Sequence, residues 1–223
     1  MIKIYVLDIG GADAINLSLS ALPESVKETK NEKLQKQRAY ARFLLEFAYF
    51  ECFGGDMPDT VLNNCGRPQF VGSSIDFNIS HDENMIALII SDEKRVGIDI
   101  QSRDTGVSAR VGSLISKIIG TPLFADKYAT ACNVFCENIG FFYISESGKI
   151  TPCDAECERR AEAVLTGDDF IEKWTLLESL VKADGTGIGA LERTSEILEN
   201  ALVMPLVFVS ANGKSFSLCA AAL

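Results

Sequence analysis

The sequence lacks any long hydrophobic run, and nothing in it is typical of a secreted or membrane protein. A helix that crosses a bilayer needs roughly 18–20 apolar residues in succession, and no stretch approaches that length. The opening segment, MIKIYVLDIGGADA, is too short for a signal peptide and is interrupted by Asp8, so it predicts a first β-strand. We therefore expect a cytoplasmic protein with no membrane partner.

Positive charge is also scarce. The 223 residues contain 21 lysines and arginines against 31 aspartates and glutamates, which gives a net charge of -10. Nucleic-acid binding needs a basic surface, so this balance argues against such a partner. An anionic ligand would need a local group of cations, and the interspersed acids of the one available group also fit an ordinary solvated helix face. That group consists of Lys27, Lys30, Lys33, Lys36, Arg38 and Arg42.

Histidine occurs once, at His81 in the segment FNISH. A zinc site built on histidines is therefore nearly excluded. Ser80 precedes His81, but adjacent residues of an extended strand point to opposite faces, so the two do not form a nucleophile and its base. Two interpretations of His81 stay open, a contact to phosphate and a turn residue.

Cysteine, by contrast, is frequent, and its odd count of seven without a secretion signal favours free thiols. Cys132 and Cys136, and then Cys153 and Cys157, share a spacing that on helices would bring each pair to one face. A zinc site or a disulfide-stapled hairpin is one interpretation. Ordinary buried thiols are favoured, because the intervening NIGFFYISESGKI is typical of a strand.

Alternating and helical patterns predict an α+β protein in which each half pairs a helix with antiparallel strands. The first half has a strand at 2–7, a helix at about 24–53, and three strands, IDFNIS, MIALIIS and KRVGIDIQ. The second half has a helical segment at 107–120, an irregular stretch, a helix at 169–184, and strands at 201–210 and 214–223. We expect two similar lobes, residues 1–102 and 103–223, with about 121–167 as an unassigned insertion.

Asp99 lies in the predicted strand VGIDIQ, where aspartate is unusual. Strand alternation places Asp99 with Gly97 and Gln101 on one face. The opposite face consists of Val96, Ile98 and Ile100. A ligand-binding carboxylate and a solvent-facing side chain are both open interpretations of Asp99.

Glu178 and Lys182 lie one turn apart in the predicted helix WTLLESLVKADG. A pair at this spacing is a common decoration of a solvated helix. Beside a strand-borne carboxylate it would also suit a magnesium-bound diphosphate, because Mg2+ prefers one or two carboxylates with waters and phosphate oxygens. Asp168 is the predicted N-cap of this helix, Gly185 its predicted end, and Trp174 part of its predicted apolar stripe.

Four segments in this order, NNCGRPQF, FNISH, VGIDIQ and WTLLESLVKADGTGI, resemble the successive motifs of the 4'-phosphopantetheinyl transferases. The resemblance is to the two-lobed type that acts on carrier domains of peptide, polyketide and fatty-acid synthesis, and it spans nearly the whole chain. It implies two similar lobes, each a helix packed on an antiparallel sheet, with coenzyme A in the cleft between them. It also implies Mg2+-dependent transfer of the phosphopantetheine arm to a serine of an apo carrier protein. We expect a monomer.

The resemblance assigns three catalytic residues, Asp99, Glu178 and Lys182. Asp99 and Glu178 match magnesium ligands, and Gln101 stands where the family often has a third acid. Glu178 is the candidate to take the proton of the carrier serine, and Lys182 matches a lysine that holds coenzyme A phosphate.

The remaining coenzyme A contacts are also implied by position. Ser80 and His81 match a Ser-His pair near the ligand, and Arg38 and Arg67 match cations at its nucleotide end, with Arg67 in place of the usual lysine. Lys27, Lys30 and Lys33 align loosely with further cations.

One departure from the family concerns Leu177, which stands where the family motif W-x-x-K-E has a lysine. A cation near the diphosphate is therefore missing. Two other interpretations stay open: a weakened or inactive relative that binds coenzyme A or a carrier without transfer, and an unrelated α+β scaffold whose motifs coincide.

Overall fold

In the computed structural model of the protein, the described residues are 1–10, 31–104, 138–145, 147–153, 170–187, 193–210 and 212–223. Within them the chain is a mixed α and β fold. The strands are β1 (Ile2–Asp8), β2 (Thr60–Leu62), β3 (Pro68–Phe70), β4 (Asp76–Asp82), β5 (Met85–Ser91), β6 (Val96–Ser102), β7 (Ile139–Ile144), β8 (Ile150–Pro152), β9 (Leu202–Val209) and β10 (Ser215–Ala222). The helices are α1 (Glu32–Phe53), α2 (Phe170–Asp184) and α3 (Thr194–Asn200).

A five-stranded sheet in the order β4-β5-β1-β7-β8 forms one layer, and a short hairpin of β2 and β3 lies apart from it. Only the β1–β7 pair of this sheet is parallel. Helix α1 covers one face, where its Tyr40 and Leu44 pack in a buried cluster with Leu7, Phe77 and Leu88. The apolar side chains at these positions remove one face of the sheet from water.

A three-stranded antiparallel sheet in the order β6-β10-β9 forms a second layer. One of its faces packs on the five-stranded sheet, with Val96, Ile98 and Ile100 of β6 in the same buried cluster as Ile4 and Val6 of β1. The predicted alternation along β6 is therefore confirmed. The other face is covered by α2 and α3, through a cluster that includes Leu180 and Ile197. The described layers follow the order helix, sheet, sheet, helix.

The ends of α1 follow from its flanking residues. Asn31 has an extended backbone, and its side chain accepts a hydrogen bond from the Leu34 N–H at 3.1 Å, as an N-cap does. At the other end Gly54 has a φ of 69°, and its N–H bonds to the Phe50 carbonyl. The expected start near residue 24 is therefore wrong, because the cap at Asn31 begins the helix at Glu32.

The strands predicted at IKIYVL, MIALIIS and the C-terminal segments are confirmed within about two residues. Strands β7 and β8 lie in the stretch expected to be irregular, but β7 falls within NIGFFYISESGKI, whose strand-like pattern is confirmed. Helix α3 and the β2–β3 hairpin were not predicted. The division at residue 102 stays a prediction, although β6 pairs with β10 and β1 with β7 across it. The helical segment at 107–120, Asp168 and most of 121–167 lie outside the described residues.

Four cysteines of the described residues, Cys52, Cys65, Cys153 and Cys219, are free thiols. Cys153 is half-buried against the cluster between the two sheets. Cys132, Cys136 and Cys157 lie outside the described residues, and for them the favoured interpretation as ordinary buried thiols stays a prediction. None of the helices in the described ranges combines the length and the apolar character needed to cross a bilayer.

Side chains of β4 replace a neighbouring strand along one edge of β6. Among the described residues β6 pairs with β10 on its other edge. The free edge presents backbone N–H groups that donate to side-chain oxygens of β4 at 2.7 to 3.4 Å. The donors are Val96, Ile98, Ile100 and Ser102, and the acceptors in the same order are Asp76, Asn78, Ser80 and Asp82. We call this arrangement the β4–β6 ladder; it fixes the two sheets in register beside the site.

Candidate functional site

Asp99, Ser80 and Lys182 meet where β4, β6 and α2 come together. The Lys182 ammonium donates to Asp99 Oδ1 at 2.6 Å and to the Ile98 carbonyl at 3.2 Å. The Ser80 hydroxyl donates to the same Asp99 oxygen at 2.8 Å and lies 3.3 Å from Lys182 Nζ. Asp99 is 1% exposed, so the interpretation as a solvent-facing residue is wrong, and its carboxylate is held by contacts from two elements, β4 and α2.

The two oxygens of Asp99 have different surroundings. Oδ1 accepts both hydrogen bonds just described, whereas Oδ2 is buried without a hydrogen-bond partner among the described residues. Burial raises the pKa of Asp99 to about 7, the Lys182 charge opposes this rise, and the Glu178 charge adds to it. An acceptor left unpaired in the interior costs free energy unless a proton or a cation meets it. Asp99 is therefore suited to bind a proton or a positive ion at Oδ2.

Glu178 completes a group of two carboxylates around one ammonium. Its Oε2 lies 3.4 Å from Lys182 Nζ, one helical turn away. This side chain is 22% exposed, compared with 2% for the side chain of Asp99. The Glu178–Lys182 pair is thus not a mere decoration of a solvated helix, because its lysine bridges to a buried acid on β6.

Gly97 explains how α2 comes so close to β6. A Cβ atom at position 97 would lie 2.1 Å from the Ser179 carbonyl oxygen and 2.4 Å from the Ala183 nitrogen. Both are backbone atoms of α2, which have little freedom to move. The absence of a side chain at Gly97 therefore lets the helix lie directly on the strand, and this contact places Lys182 within reach of Asp99.

Two arginines bind the C-terminal end of α2. Gly185 has a φ of 77° and its N–H bonds to the Val181 carbonyl, which confirms the predicted end of the helix. Arg67 donates to the Lys182 carbonyl at 2.8 Å, and Arg95 donates to the Asp184 carbonyl at 2.6 Å. Cations at this end also complement the helix dipole.

A cavity of about 280 Å³ opens beside this group. One wall is a face of α2, and the opposite side is the turn between β2 and β3 together with Asn78 of β4. The residues that line it are Cys65, Gly66, Arg67, Pro68, Asn78, Trp174, Glu178, Val181, Lys182, Gly185 and Gly187. A concave site with mostly apolar walls and a few convergent charges is typical of a small-molecule site.

Trp174 differs from its predicted placement. Trp174 was expected on the buried stripe of α2, but it is half-buried and lines the cavity. Leu177 is fully buried and is not among the described lining residues. The stripe that packs on the sheet instead includes Leu176, Leu180 and Ala183. The large aromatic surface of Trp174 therefore faces any bound molecule rather than the core.

The structure brings four of the predicted site residues together: Ser80, Asp99, Glu178 and Lys182. Arg67 lines the same cavity. The other predicted residues, Arg38, His81 and Gln101, are not among the lining residues in the described ranges. Arg38 is exposed on α1, His81 is half-buried on β4, and Gln101 lies opposite Ser217 of β10. Lys33 is exposed on α1, and Lys27 and Lys30 lie outside the described residues.

Sequence reasoning missed two residues of the site, Asn78 and Arg95. It also missed that Trp174 lines the cavity. Asn78 lies between Phe77 and Ile79 of a strand, and its alternation with Ser80 was the available signal. Arg95 gave none, because its partner is a helix end far away in the sequence.

The number of carboxylates at the site fits Mg2+, and so does the hydrogen bonding of Asp99. Mg2+ is bound in proteins by one or two carboxylates completed by waters and phosphate oxygens. Asp99 supplies an unpaired buried oxygen, and Glu178 a second carboxylate beside it. In the described part of the chain no group of three or more histidine, cysteine, aspartate or glutamate side chains is placed to hold a metal ion. A magnesium site here would rest on two protein ligands.

Comparison with models of protein families and with curated proteins finds no match to this sequence.

His81 provides a test of the charge near the site. Burial lowers its pKa below the ordinary value of 6.5, and the positive charges of Lys182 and Arg38 lower it further. Because the protein has one histidine, its imidazole C2 proton gives a single signal in a 1H NMR titration. We expect a midpoint below 6.5, and a higher midpoint in Lys182→Gln.

The same shift makes stability depend on pH in a defined direction. Below pH 6.5 the unfolded chain binds a proton at His81 more readily than the folded protein does, so the contribution of His81 to the free energy of unfolding should fall as the pH decreases. The raised pKa of Asp99 acts in the opposite direction, because there the folded protein binds the proton more readily. Urea denaturation of wild type and His81→Gln at several pH values gives the His81 contribution as the difference between their slopes. A wild-type NMR midpoint at or above 6.5 would contradict the burial and charge described here.

Proposed function

We propose that the protein is a 4'-phosphopantetheinyl transferase, which moves the phosphopantetheine arm of coenzyme A to a serine of an apo acyl or peptidyl carrier protein. The new bond joins the serine oxygen to the phosphorus that carries pantetheine, and the bond to 3',5'-ADP breaks. The serine proton is transferred to a base, and the electron pair of the broken phosphorus–oxygen bond leaves with 3',5'-ADP. The proposal is supported by two observations: the resemblance of four ordered motifs and the group of charged residues beside the cavity.

One observation carries the proposal: Lys182 contacts both Asp99 and Glu178 at the wall of a cavity. Phosphoryl transfer is catalysed mainly by fixed charges and by alignment of the reactants. An anionic diphosphate entering this cavity would meet the Lys182 ammonium directly. The two carboxylates supply the opposite charge that a bound divalent ion needs.

Each residue has a role that follows from its position. Lys182 would hold a phosphate oxygen through a charge-assisted hydrogen bond. Glu178 is the more exposed carboxylate, so it is the candidate to accept the proton of the carrier serine. Asp99 and Glu178 would hold Mg2+, which neutralises charge on a diphosphate when it is bound. Trp174 offers an aromatic face to the apolar part of the ligand.

The two-lobed arrangement is part of this proposal. One lobe would contain α1 with the five-stranded sheet, and the other α2 with the three-stranded sheet. This differs from the division at residue 102, because β6 then belongs to the second lobe and β7 and β8 to the first. The cavity lies where β4 of the first sheet approaches α2 of the second layer. In this proposal the protein acts as a cytoplasmic monomer, as expected from the sequence, and binds neither nucleic acid nor a membrane.

A second candidate function, binding of coenzyme A or a carrier without transfer, is favoured by the tight contact between Lys182 and Asp99. At 2.6 Å the ammonium already neutralises the acid that would hold the metal ion. The family lysine is also missing at Leu177, whose side chain is fully buried. A site of this kind would retain the ligand pocket but accelerate transfer poorly.

A mass-shift assay separates these candidates. The protein is incubated with coenzyme A, Mg2+ and apo carriers from fatty-acid, polyketide and peptide synthesis, and each carrier is then weighed by mass spectrometry. A gain equal to one phosphopantetheine supports the transferase. In parallel, coenzyme A is titrated against the fluorescence of Trp174, the only tryptophan. Unchanged carriers with saturable quenching indicate the binding protein, and the absence of both contradicts the site itself.

A lysine at position 177 should destabilise the protein rather than activate it. Leu177 is 0% exposed, and an unpaired charge in such a place costs about 3–5 kcal/mol. Urea denaturation of Leu177→Lys measures the loss. The matched control is Leu62→Lys, because Leu62 is 69% exposed and should tolerate the change to within about 0.5 kcal/mol. A stable Leu177→Lys variant with faster transfer would show that position 177 faces the reacting groups.

A further inference from the structure

Arg67 occupies the centre of the junction between β4, β6 and α2. Its side chain is 10% exposed. Nη2 donates to the Asp76 carboxylate at 2.6 Å, to the Phe77 carbonyl at 3.0 Å and to the Val96 carbonyl at 2.8 Å. Nη1 donates to the Lys182 carbonyl at 2.8 Å. One guanidinium therefore binds two strands and a helix that are distant in the sequence.

We propose that Arg67 is a positioning residue, which holds the last turn of α2 so that the Lys182 ammonium stays on Asp99. The expected role from the sequence was different, a direct contact to the nucleotide end of coenzyme A. Both terminal nitrogens are instead bonded to protein oxygens, and Nε is buried with no hydrogen-bond partner in the described part of the chain. The guanidinium is thus held within the junction, where it acts on the ligand through Lys182.

The connection from Arg67 to the charged group is short. Arg67 binds the carbonyl of Lys182, and the ammonium of the same residue binds Asp99 and the Ile98 carbonyl. Arg67 and Lys182 therefore satisfy alternate carbonyls, those of Val96 and Ile98, along the free edge of β6. Loss of the first bond removes a restraint on the residue that makes the second.

Arginine is required for this role because of its shape. The planar guanidinium can reach several acceptors in fixed directions, whereas a lysine offers one compact charge on a flexible stem. Asp76 fixes Arg67 in turn, since Asp76 Oδ2 also accepts the Val96 N–H of the β4–β6 ladder at 2.8 Å. An exchange of Arg67 for lysine keeps the positive charge at the cavity and removes the bridge.

Lysine acetylation followed by mass spectrometry tests the positioning directly, and it needs neither transfer nor coenzyme A. In the folded wild type Lys182 is shielded by its ion pair and is 29% exposed. Lys173 on the same helix serves as the internal reference. In Arg67→Lys we expect the ratio of acetylation rates, Lys182 to Lys173, to rise about fivefold, as for the loss of one ordinary stabilising contact. An unchanged ratio in a folded variant would overturn the proposal.

Two further variants keep the test decisive. Arg42→Lys changes an arginine that pairs with Glu46 on α1, away from this junction, so its ratio should stay at the wild-type value. Asp76→Asn keeps an oxygen acceptor but weakens the hold on Arg67, and its ratio should lie between those of wild type and Arg67→Lys. If Arg67→Lys fails to fold, Asp76→Asn decides: an unchanged ratio counts against the proposal, and an increase supports it.

Kinetics distinguish positioning from ligand contact, and this part rests on the proposed transferase function. For a positioning residue, Arg67→Lys should lower kcat about tenfold and leave the KM for coenzyme A within about twofold, since the loss appears mainly in the transition state. A phosphate contact would instead raise KM with kcat unchanged. If the wild type transfers nothing, the proposed function fails, whereas the acetylation ratio still reports on Arg67.

Discussion

Replacing Asp99 with alanine should abolish phosphopantetheine transfer, with a fall in kcat/KM of at least about 10³-fold. The variant loses the buried oxygen that no described residue pairs and the oxygen that holds Lys182. It therefore loses a proposed metal ligand and the fixed position of the ammonium in one step. The mass-shift assay with a responsive carrier measures the rate.

Two variants make this result interpretable. Asp99→Asn keeps the volume and one carbonyl oxygen for Ser80, so it should fold as well as wild type while losing the activity. Asp92→Ala removes an acid that is 39% exposed and pairs with the N-terminal ammonium, and it should leave the rate unchanged. If Asp99→Ala retained full activity at ordinary Mg2+ concentrations, the assignment of the site would be wrong.

Exchanging Gly97 for alanine should be the most damaging single-methyl change in the described core. The added Cβ would lie 2.1 Å from a backbone oxygen and 2.4 Å from a backbone nitrogen of α2. The helix must move away from β6, so the buried contacts of both are lost. Overpacking usually costs about 1–3 kcal/mol, and we expect at least about 3 kcal/mol here because the clash is with backbone. Urea denaturation measures the loss.

A second glycine separates crowding from backbone strain. Gly213 has a φ of 82° in the turn before β10, and a Cβ there would meet nothing within 4 Å. Gly213→Ala should therefore cost about 1–2 kcal/mol through its left-handed backbone alone. If both variants lost similar amounts of stability, the close approach of α2 to β6 would contribute little to the effect of Gly97→Ala.

Gly97→Ala also connects stability to chemistry. At low temperature, the fraction of this variant that stays folded should bind coenzyme A more weakly than wild type does, because α2 carries both Trp174 and Lys182. Trp174 fluorescence measures this binding. Gly213→Ala should bind as wild type does. Binding that is unaffected by Gly97→Ala would separate the cavity from the packing that we describe.

Several elements of the fold could be read from the sequence because their pattern is local. Strand β5 is a continuous apolar run between polar turns, and β6 alternates so clearly that the faces of Val96 and Asp99 were assigned correctly. The pairing of β6 with β10 was not predictable in this way. It depends on which sheet edge remains open after the chain has collapsed, and no spacing in the sequence encodes that.

The candidate site likewise has local features that the sequence predicts and long-range contacts that it does not. Glu178 and Lys182 share a helix face through their spacing, whereas Lys182 and Asp99 are 83 residues apart and were associated through motif order. Arg67 was interpreted by its charge and by its place in the motif NNCGRPQF. Its three carbonyl partners belong to the backbone, which gives no signal in the residue types, so its place in the junction could only come from the structure.

The β4–β6 ladder also bears on self-association. A strand with an open edge is a template on which another chain can extend the sheet. Along β6 that edge is closed by short polar side chains instead of by a strand, so four of its N–H groups are already bonded within the chain and are not offered to a second one. The double substitution Asn78→Val and Ser80→Val would remove two of these acceptors and add β-forming residues. We expect the edge of β6, the strand that carries Asp99, to become a nucleus for aggregation.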